Sequence, residues 1–487
     1  MDSLVKSNIE LVALSRVESY GFGSGLLIGV PFSRLLAGVA VVALMCAAGP
    51  AAAETMSSAL ARAYRNNPDI NQQRAAVRAR DETVPAAKAG WLPKASLQGQ
   101  SGHQANEITG YPGSNGRHSS NPSQAGATLS QTLFDGNRTA NGVSQAESTV
   151  LAQREALRQQ ELATLQSGAT AYMDVLRDTA VLGLKRSNIK VLQVQLQQTQ
   201  DRFNVGEVTR TDVAQAESAL AGARADFASA QSNLETSIAS FRRQIGVDPK
   251  NLSPAQPVER LLPKSVQAAI GVGLDEHPAI TGALHQVDAA ESAVKVAEGA
   301  LLPTLGVQGT VSRSLDTSGT PGYNVNTASV VGTLNIPIYQ GGQEYAAVRQ
   351  AKEQLGQARL AVDSQRIAVR GGISSSWGQL QASKAAIVAY QAAVKAAEVA
   401  LNGVREEAKV GQRTTLDVLN AQQTLLNARV QLVSAQHDRV VTSYTVLAQI
   451  GRLSAETLGL DAPAYDPADH YERTKNRFIG LTAADGG

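Results

Sequence analysis

Two segments of similar pattern hold the residues most suggestive of function, VGEVTRTDV at 205–213 and VGQRTTLDV at 410–418. Their glycines, Gly206 and Gly411, can adopt positive φ and so reverse a helical chain. Their aspartates, Asp212 and Asp417, fall in the first turn of the following helix, where a carboxylate is favoured and can complete a cap begun by threonine. Each segment is therefore predicted to be a tight turn between two helices that carries one carboxylate.

The sequence gives no comparable evidence for a catalytic, cofactor-binding or metal site. No pair of histidines shares a metal-ligand spacing with acidic neighbours, among His103, His118, His277, His285, His437 and His470. His437 occupies an apolar heptad position, so we expect it to be packed. The GFGSG segment at 21–25 follows no predicted strand, which argues against a nucleotide-binding loop. We predict a protein that is not an enzyme and holds no cofactor or metal.

Composition limits the class of protein further. The formal net charge is +2, without the basic excess that marks a nucleic-acid partner. Aromatic residues make up only 4% of the chain, fewer than a large globular core normally uses. Frequent alanine and glutamine instead favour long amphipathic helices in close contact.

The N-terminal region has the pattern of an export signal. Arg34 precedes an apolar run at 35–48, and small residues follow at Ala51–Ala53. We predict that 1–53 is an N-terminal extension with a cleaved signal peptide; a retained anchor is the alternative, although the run is short for a membrane span. Cys46, the sole cysteine, would leave with it. No later run of 18 apolar residues occurs, so any membrane crossing would use strands.

The remaining chain contains an internal duplication. Residues 59–99 align without a gap on 269–309, and Pro68, Pro93 and Gly99 fall on Pro278, Pro303 and Gly309. The two turn segments then match each other at a slightly different offset. We predict one repeat at 54–262, a second at 263–455 and a C-terminal tail at 456–487.

Each repeat is predicted to contain a helix, two strands and two long helices. The strands are expected at about 94–133 and about 304–338, and the long helices at about 138–203, 209–245, 342–408 and 414–450. In the second repeat, apolar Leu305, Val307 and Val311 alternate with polar residues, which is the strand period. A half-buried sandwich strand remains an alternative to a membrane strand. The intervening Gly102–Ser123 and Ser312–Asn324 are predicted to be extracellular loops.

The long helices have a seven-residue apolar period. Ile373, Leu380 and Leu401 belong to one such series, and alanines accompany the corresponding residues of the shorter helices. This pattern predicts coiled-coil packing. About 65 residues without proline would extend about 100 Å, far beyond the needs of a compact domain.

Four strands per chain also predict an oligomer. Four strands cannot close around an aqueous lumen, and open sheet edges are not tolerated in lipid. Two copies would supply eight strands, whose interior side chains fill, whereas three would supply 12 and leave a pore. Geometry therefore favours a trimer.

Short proline and glycine motifs at the ends of the predicted helices and strands resemble those of a known protein family. Asn-Pro and His-Pro steps near the start of each repeat, Pro93 and Pro303 before the strands, and LFDGN and IYQGG after them, containing Gly136 and Gly341, resemble the TolC outer-membrane efflux family. With the two turns, the match covers about 55–455. The resemblance implies an α+β membrane protein: a trimeric 12-stranded barrel in the Gram-negative outer membrane, continued by a 12-helix coiled-coil α-barrel in the periplasm. It implies a periplasmic adaptor and an inner-membrane pump as partners, and the non-lipidated branch of the family.

The resemblance also assigns roles at the turns. Asp417 would belong to a carboxylate ring that lines the periplasmic aperture, while Asn420 stands where a second aspartate is expected. Asp212, Thr211 and Arg413 would form latches that hold neighbouring coiled coils closed. Ala408 replaces a tyrosine latch. Helix capping alone is the alternative explanation of both aspartates.

The function expected is therefore an exit duct. It would serve a tripartite efflux pump or a type I secretion system, exporting small toxic compounds and proteins through a gate at its periplasmic end. A structural coiled-coil adaptor protein is one alternative, although no lipoyl-like domain is evident. A duct dedicated to protein secretion is the other.

Overall fold

The computed structural model describes residues 54–110, 116–316 and 322–483. The signal peptide predicted within 1–53 and the GFGSG segment lie outside the described residues, as do the tips of both predicted loops. Among the described helices, none combines the length and apolarity that a membrane span requires.

The described part of the chain alternates short helices, strands and very long helices. In chain order they are α1 (Met56–Asn66), α2 (Pro68–Asp81), α3 (Thr83–Lys88), β1 (Lys94–Ser101), β2 (Gln104–Ile108), β3 (Gly116–Ser120), β4 (Ser123–Phe134), α4 (Arg138–Asn204), α5 (Arg210–Ile245), α6 (Val266–Glu276), α7 (Pro278–Gly299), β5 (Thr304–Leu315), β6 (Val325–Asn335), α8 (Gln343–Lys409), α9 (Thr415–Gln449) and α10 (Pro467–Thr474). Short 3₁₀ turns precede β1 and α6.

Prolines separate the short helices that precede the strands. Asn67 and His277 each stand before a proline and have extended backbone, with ψ of 127° and 123°. Proline disfavours helical geometry in the residue before it but suits the first position of a helix. Each of these residues therefore ends one helix and caps the next.

The long helices form two antiparallel hairpins, α4 with α5 and α8 with α9. Helices α4 and α8 contain 67 residues each, which corresponds to about 100 Å. Residues of the predicted heptads are buried where the helices meet, including Leu220, Ile373, Leu380 and Leu401. The residues of the seven-residue period thus form the contacts between helices, and those contacts are largely aliphatic.

A four-stranded antiparallel sheet lies between the short and the long helices in sequence. Its order is β1-β4-β5-β6, so β1 and β6 are edges. The register aligns Leu97 with Ala127 and Val311 on one face and sets Gln98 and Ser312 on the other. The predicted alternation is therefore present: one face carries Leu, Val and Ala, and the other carries Ser, Thr and Gln.

Three details of the strands differ from expectation. The predicted loop Gly102–Ser123 contains a second hairpin, β2–β3, built mostly from polar residues and without an apolar alternation. Strand β5 continues into the other predicted loop, as far as Leu315. Strand β6 ends at Asn335, short of Ile336 and Ile338, because Pro337 has no N–H for the sheet ladder.

The largest core cluster lies around the middle of α4. Tyr172 is fully buried there, and its hydroxyl oxygen lies 2.7 Å from the carbonyl oxygens of Glu54 and Ser253, either of which can accept its single proton. Phe241 of α5 and Leu447 of α9 pack into the same cluster. The tail is also packed: His470 of α10 contacts Asp81 of α2 at 2.9 Å, and both are buried. Residues after 455 therefore stabilise the region beside α2 and α4.

Candidate functional site

The two helix turns share one backbone geometry. Gly206 and Gly411 have φ of +81° and +77°, conformations that favour glycine. The N–H of the next residue bonds back to a carbonyl five residues earlier, Glu207 to Arg202 and Gln412 to Glu407, both at 2.9 Å. This is the Schellman arrangement, which satisfies the last carbonyls of the incoming helix.

Both outgoing helices begin with a reciprocal capping box. The Asp212 N–H donates to Thr209 Oγ1 at 3.3 Å, and the Thr209 N–H donates to the Asp212 carboxylate at 2.9 Å. The corresponding distances at Asp417 and Thr414 are 3.2 and 2.9 Å. These hydrogen bonds lower the pKa of both aspartates, Asp212 chiefly through the Thr209 hydroxyl and Asp417 chiefly through the Thr414 backbone. Both carboxylates are thus fixed in place and kept anionic.

Arg413 is engaged within its own turn. Its Nε donates to Glu407 Oε2 at 2.8 Å, and this contact raises the pKa of the guanidinium. Hairpin α4–α5 contains a similar pair, Arg202 with Glu207 at 3.0 Å. Within the described single chain Arg413 forms no ion pair with Asp212, so a latch between these two residues remains a prediction about neighbouring copies.

The other predicted gate residues have simple surroundings. Thr211 is exposed on the first turn of α5, and Asn420 is exposed on the second turn of α9. The backbone oxygen of Asn420 accepts a hydrogen bond from Thr424 at 2.9 Å. Ala408 is partly buried against the Leu401–Val418 seam of hairpin α8–α9. Among the described residues no hydrogen bond joins Thr211 to Asn420.

Sequence reasoning missed a buried amide contact between the two hairpins. Gln422 Nε2 of α9 donates to Asn188 Oδ1 of α4 at 3.2 Å, and both side chains are buried. The Gln422 Oε1 atom has no hydrogen-bond partner among the described residues. Gln422 stands beside the apolar heptad series, and a polar residue there could have indicated the contact. Glutamine is so frequent in these helices that this one did not stand out.

The residues predicted to mark the junctions lie between helices and strands in the structure. Pro93 and Pro303 immediately precede β1 and β5. Gly136 has φ of +70°, and a Cβ there would lie 2.3 Å from the carbonyl oxygen of Gly299. The turn after β4 can therefore pack on the end of α7 only when position 136 is glycine. Gly341 has the same conformation, with φ of +72°, but faces open space in this chain.

His437 is packed, as expected, in a charged network. Its ring nitrogens lie 2.9 Å from both Asp174 and Asp438. Burial lowers the pKa of His437, but the two carboxylates outweigh burial and the net shift is upward. Among the described residues no group of His, Cys, Asp and Glu is arranged to hold a metal.

Comparison with known sequences gives consistent matches. The profile of the family described as "Outer membrane efflux protein" matches 59–247 and 270–452. Outer membrane efflux protein BepC of Brucella suis biovar 1 (strain 1330) is 42% identical over 436 residues, which cover 90% of this chain and 94% of the relative. Outer membrane protein TolC of Escherichia coli (strain K12) is 28% identical, with 83% and 84% covered.

A solved structure shows the same fold. The Campylobacter jejuni CmeC outer membrane channel superposes with a TM-score of 0.71 at 17% identity. The match covers 86% of this chain and 89% of that one. The helix-rich architecture with little sheet is therefore shared with this outer membrane channel.

Proposed function

Because the chain belongs to the family of outer membrane efflux proteins, we propose that three copies form an exit duct gated at its periplasmic end. The duct would cross the outer membrane as a 12-stranded barrel and continue into the periplasm as a barrel of 12 helices. Two internal repeats would supply two strands and two long helices each, and the two separate matches to the family profile support that division.

The bare apolar face of the sheet carries this proposal. Leu97 is 87% exposed and Val330 is 80% exposed, and Val311 and Leu129 lie on the same face. Uncovered apolar surface of this kind is unfavourable in water but suits the lipid-facing side of a membrane sheet. The opposite face is polar, as the wall of an aqueous lumen must be.

The edges of the sheet support assembly into a closed barrel. Strands β1 and β6 have no partner on their outer sides in the described chain, and unpaired edges cannot stand in lipid. Pairing β6 of one copy with β1 of the next satisfies both edges in a ring. Three copies give 12 strands, which leave room for a pore.

The helix turns are proposed to form the gate. At a threefold axis three Asp417 carboxylates would converge and focus a negative potential on the aperture, with Asn420 one turn beyond. Arg413, Asp212 and Thr211 would link adjacent coiled coils across the surface. Exposed polar links of this kind are weak, so an adaptor that binds outside can break them.

The duct itself is proposed to be passive. A periplasmic adaptor and an inner-membrane pump would supply the energy and select the cargo, which would be small toxic compounds in an efflux pump or a protein in a type I secretion system. Drug hypersensitivity of a deletion strain would indicate the first cargo, and loss of a secreted polypeptide would indicate the second.

The direct test is purification from outer-membrane fractions. We expect a trimer that dissociates only on heating and that forms discrete cation-selective channels in planar bilayers. A monomer that stays in solution without detergent would contradict the proposal. Trimers that bind an adaptor but never conduct would favour a structural coiled-coil protein instead.

A further inference from the structure

Three large apolar side chains follow helix α10 without cover. Phe478 is 45% exposed, while Ile479 and Leu481 are almost wholly exposed. Single exposed apolar residues are ordinary, but three within four positions form a patch that water does not favour. Such a patch indicates contact with another apolar phase or partner.

The contacts of α10 show where this patch lies. His470 meets Asp81 in α2, and Lys88 Nζ at the end of α3 donates to the Lys475 carbonyl at 3.2 Å. The tail therefore advances from Asp81 to Lys88 as it runs from 470 to 475. Because α2 and α3 lead directly into β1, the tail runs toward the base of the sheet.

The number of residues between Asn476 and Leu481 limits how far the patch can lie from Lys88. Asn476 also contacts Lys88, and the five residues from there to Leu481 span at most about 17 Å. Trp91, three residues beyond Lys88, is 49% exposed and its carbonyl accepts a hydrogen bond from Gln131 of β4. The patch thus lies near the junction of helices and strands.

Basic residues stand immediately before the patch. Arg473, Lys475 and Arg477 alternate along the segment. Arg473 pairs with Asp469 and Lys475 pairs with Glu472; both carboxylates are exposed neighbours on α10, so these two pairs are weak. Basic residues followed by Phe, Ile and Leu are typical of segments that lie in a lipid interface, where cations meet anionic headgroups.

We propose that residues 478–481 are an interfacial anchor that inserts into the periplasmic leaflet of the outer membrane, beside the base of the barrel. The proposal rests on the proposed function, since it requires the sheet to lie in that membrane. The anchor would fix the height of the helical tunnel relative to the bilayer and hold α10 against α2 and α4.

A fluorescent label at residue 479 tests the proposal. Ile479→Cys in a Cys46→Ser background carries a single thiol, which is labelled with an environment-sensitive fluorophore. The trimer is reconstituted in vesicles of phosphatidylethanolamine and phosphatidylglycerol. We expect blue-shifted emission that a nitroxide near the lipid headgroup quenches several-fold more strongly than either aqueous iodide or a nitroxide at the acyl-chain end.

Two further labels separate the anchor from the duct. A label at Val410→Cys, exposed at the distant helix turn, should respond to iodide only, and one at Leu97→Cys on the apolar face should respond to lipid nitroxides. Lipid quenching at 97 with iodide quenching at 479 would overturn the anchor and leave the duct standing. A label at 479 protected from both quenchers would overturn it too, since another copy would then cover the patch. Iodide quenching at 97 would overturn the duct itself.

Substitution of the basic residues tests whether anionic headgroups attract the segment. Lys475→Gln with Arg477→Gln should reduce headgroup-level quenching at 479 in vesicles that contain phosphatidylglycerol and leave it unchanged in purely zwitterionic vesicles. Equal quenching of the parent and the variant in both vesicles would remove electrostatic attraction from the proposal.

Discussion

At the scale of single residues, Arg413 has a choice of partners. In one chain it binds Glu407, whereas closure of the assembled gate is proposed to use Asp212 of a neighbouring copy. We predict that Arg413→Ser and Asp212→Ala each raise single-channel conductance, because a link between hairpins is lost. Glu407→Gln should lower it, because the arginine is released from its own turn and becomes available to Asp212.

The matched pair in the other hairpin provides the control. Arg202→Ser removes the similar contact with Glu207 and should leave conductance unchanged. The differences should also shrink at high salt, which screens exposed charges. If Glu407→Gln raised conductance as much as Arg413→Ser, the arginine would act by shaping its own turn and not as a latch.

The hydrogen bonds from Thr414 are predicted to keep Asp417 charged at lower pH than it would be without them. Its pKa lies below the ordinary 3.8 because the backbone and hydroxyl of Thr414 donate to the carboxylate. A depressed pKa stabilises the folded state above the unfolded pKa, and that contribution is lost as pH falls through the folded pKa. The Thr414 hydrogen bonds should therefore extend block of the channel by trivalent cations to lower pH, whereas repulsion among three converging carboxylates raises the pKa of the ring.

Two threonine variants check the pH prediction. Thr414→Val removes the hydroxyl that holds Asp417, so block should fade at a higher pH than in the parent. Thr209→Val makes the same change at Asp212 and should not move the titration of block. Asp417→Asn should abolish block at every pH, and full block in that variant would place the cation site elsewhere.

At the scale of secondary structure, the sequence predicts those helices and strands whose apolar residues recur with a regular period. Heptads and the absence of proline predict helices such as Arg138–Asn204 closely, and the alternation around Val307 predicts which face of the sheet is apolar. The β2–β3 hairpin has no such periodicity, because neither of its faces is apolar. The contact between Arg413 and Glu407 could not be predicted either. The turn brings together two residues six positions apart, a spacing that no helical period relates.

The Asn188–Gln422 contact is the clearest case of an element-level interaction that periodicity hides. It joins α4 to α9, so it ties the two hairpins of one copy together. Asn188→Leu or Gln422→Leu alone leaves a buried amide without its partner, at a cost of about 1–3 kcal/mol. We predict that each single variant lowers the thermal midpoint of the detergent-solubilised trimer, measured by circular dichroism.

The double variant should be more stable than the sum of the single effects. Replacing both amides removes both unsatisfied groups and adds apolar contact. Gln423→Leu is the matched control, because the adjacent Gln423 is exposed and its amide donates to exposed Asn427, and it should change the midpoint little. Additive losses in the double variant would show that the two amides do not depend on each other.

At the scale of the whole molecule, the two faces of the sheet must meet different solvents. Val330 and Val331 are adjacent, of identical type and both exposed, but the register places Val330 opposite Gly309 and Val331 opposite Gln308. Arginine on a lipid-facing strand position near the bilayer midplane costs about 2–4 kcal/mol, and a trimer incurs that cost three times. We predict that Val330→Arg removes heat-modifiable trimers from outer-membrane fractions.

Val331→Arg is the matched control on the polar face. There the guanidinium would reach the aqueous lumen, so trimers should assemble in normal amount. The added ring of three positive charges should shift the reversal potential in a salt gradient toward anion selectivity. Because the two substitutions differ only in the side of the sheet that receives the charge, equal loss of trimers in both would mean that neither face borders an aqueous pore. Equal tolerance would mean that neither face borders lipid.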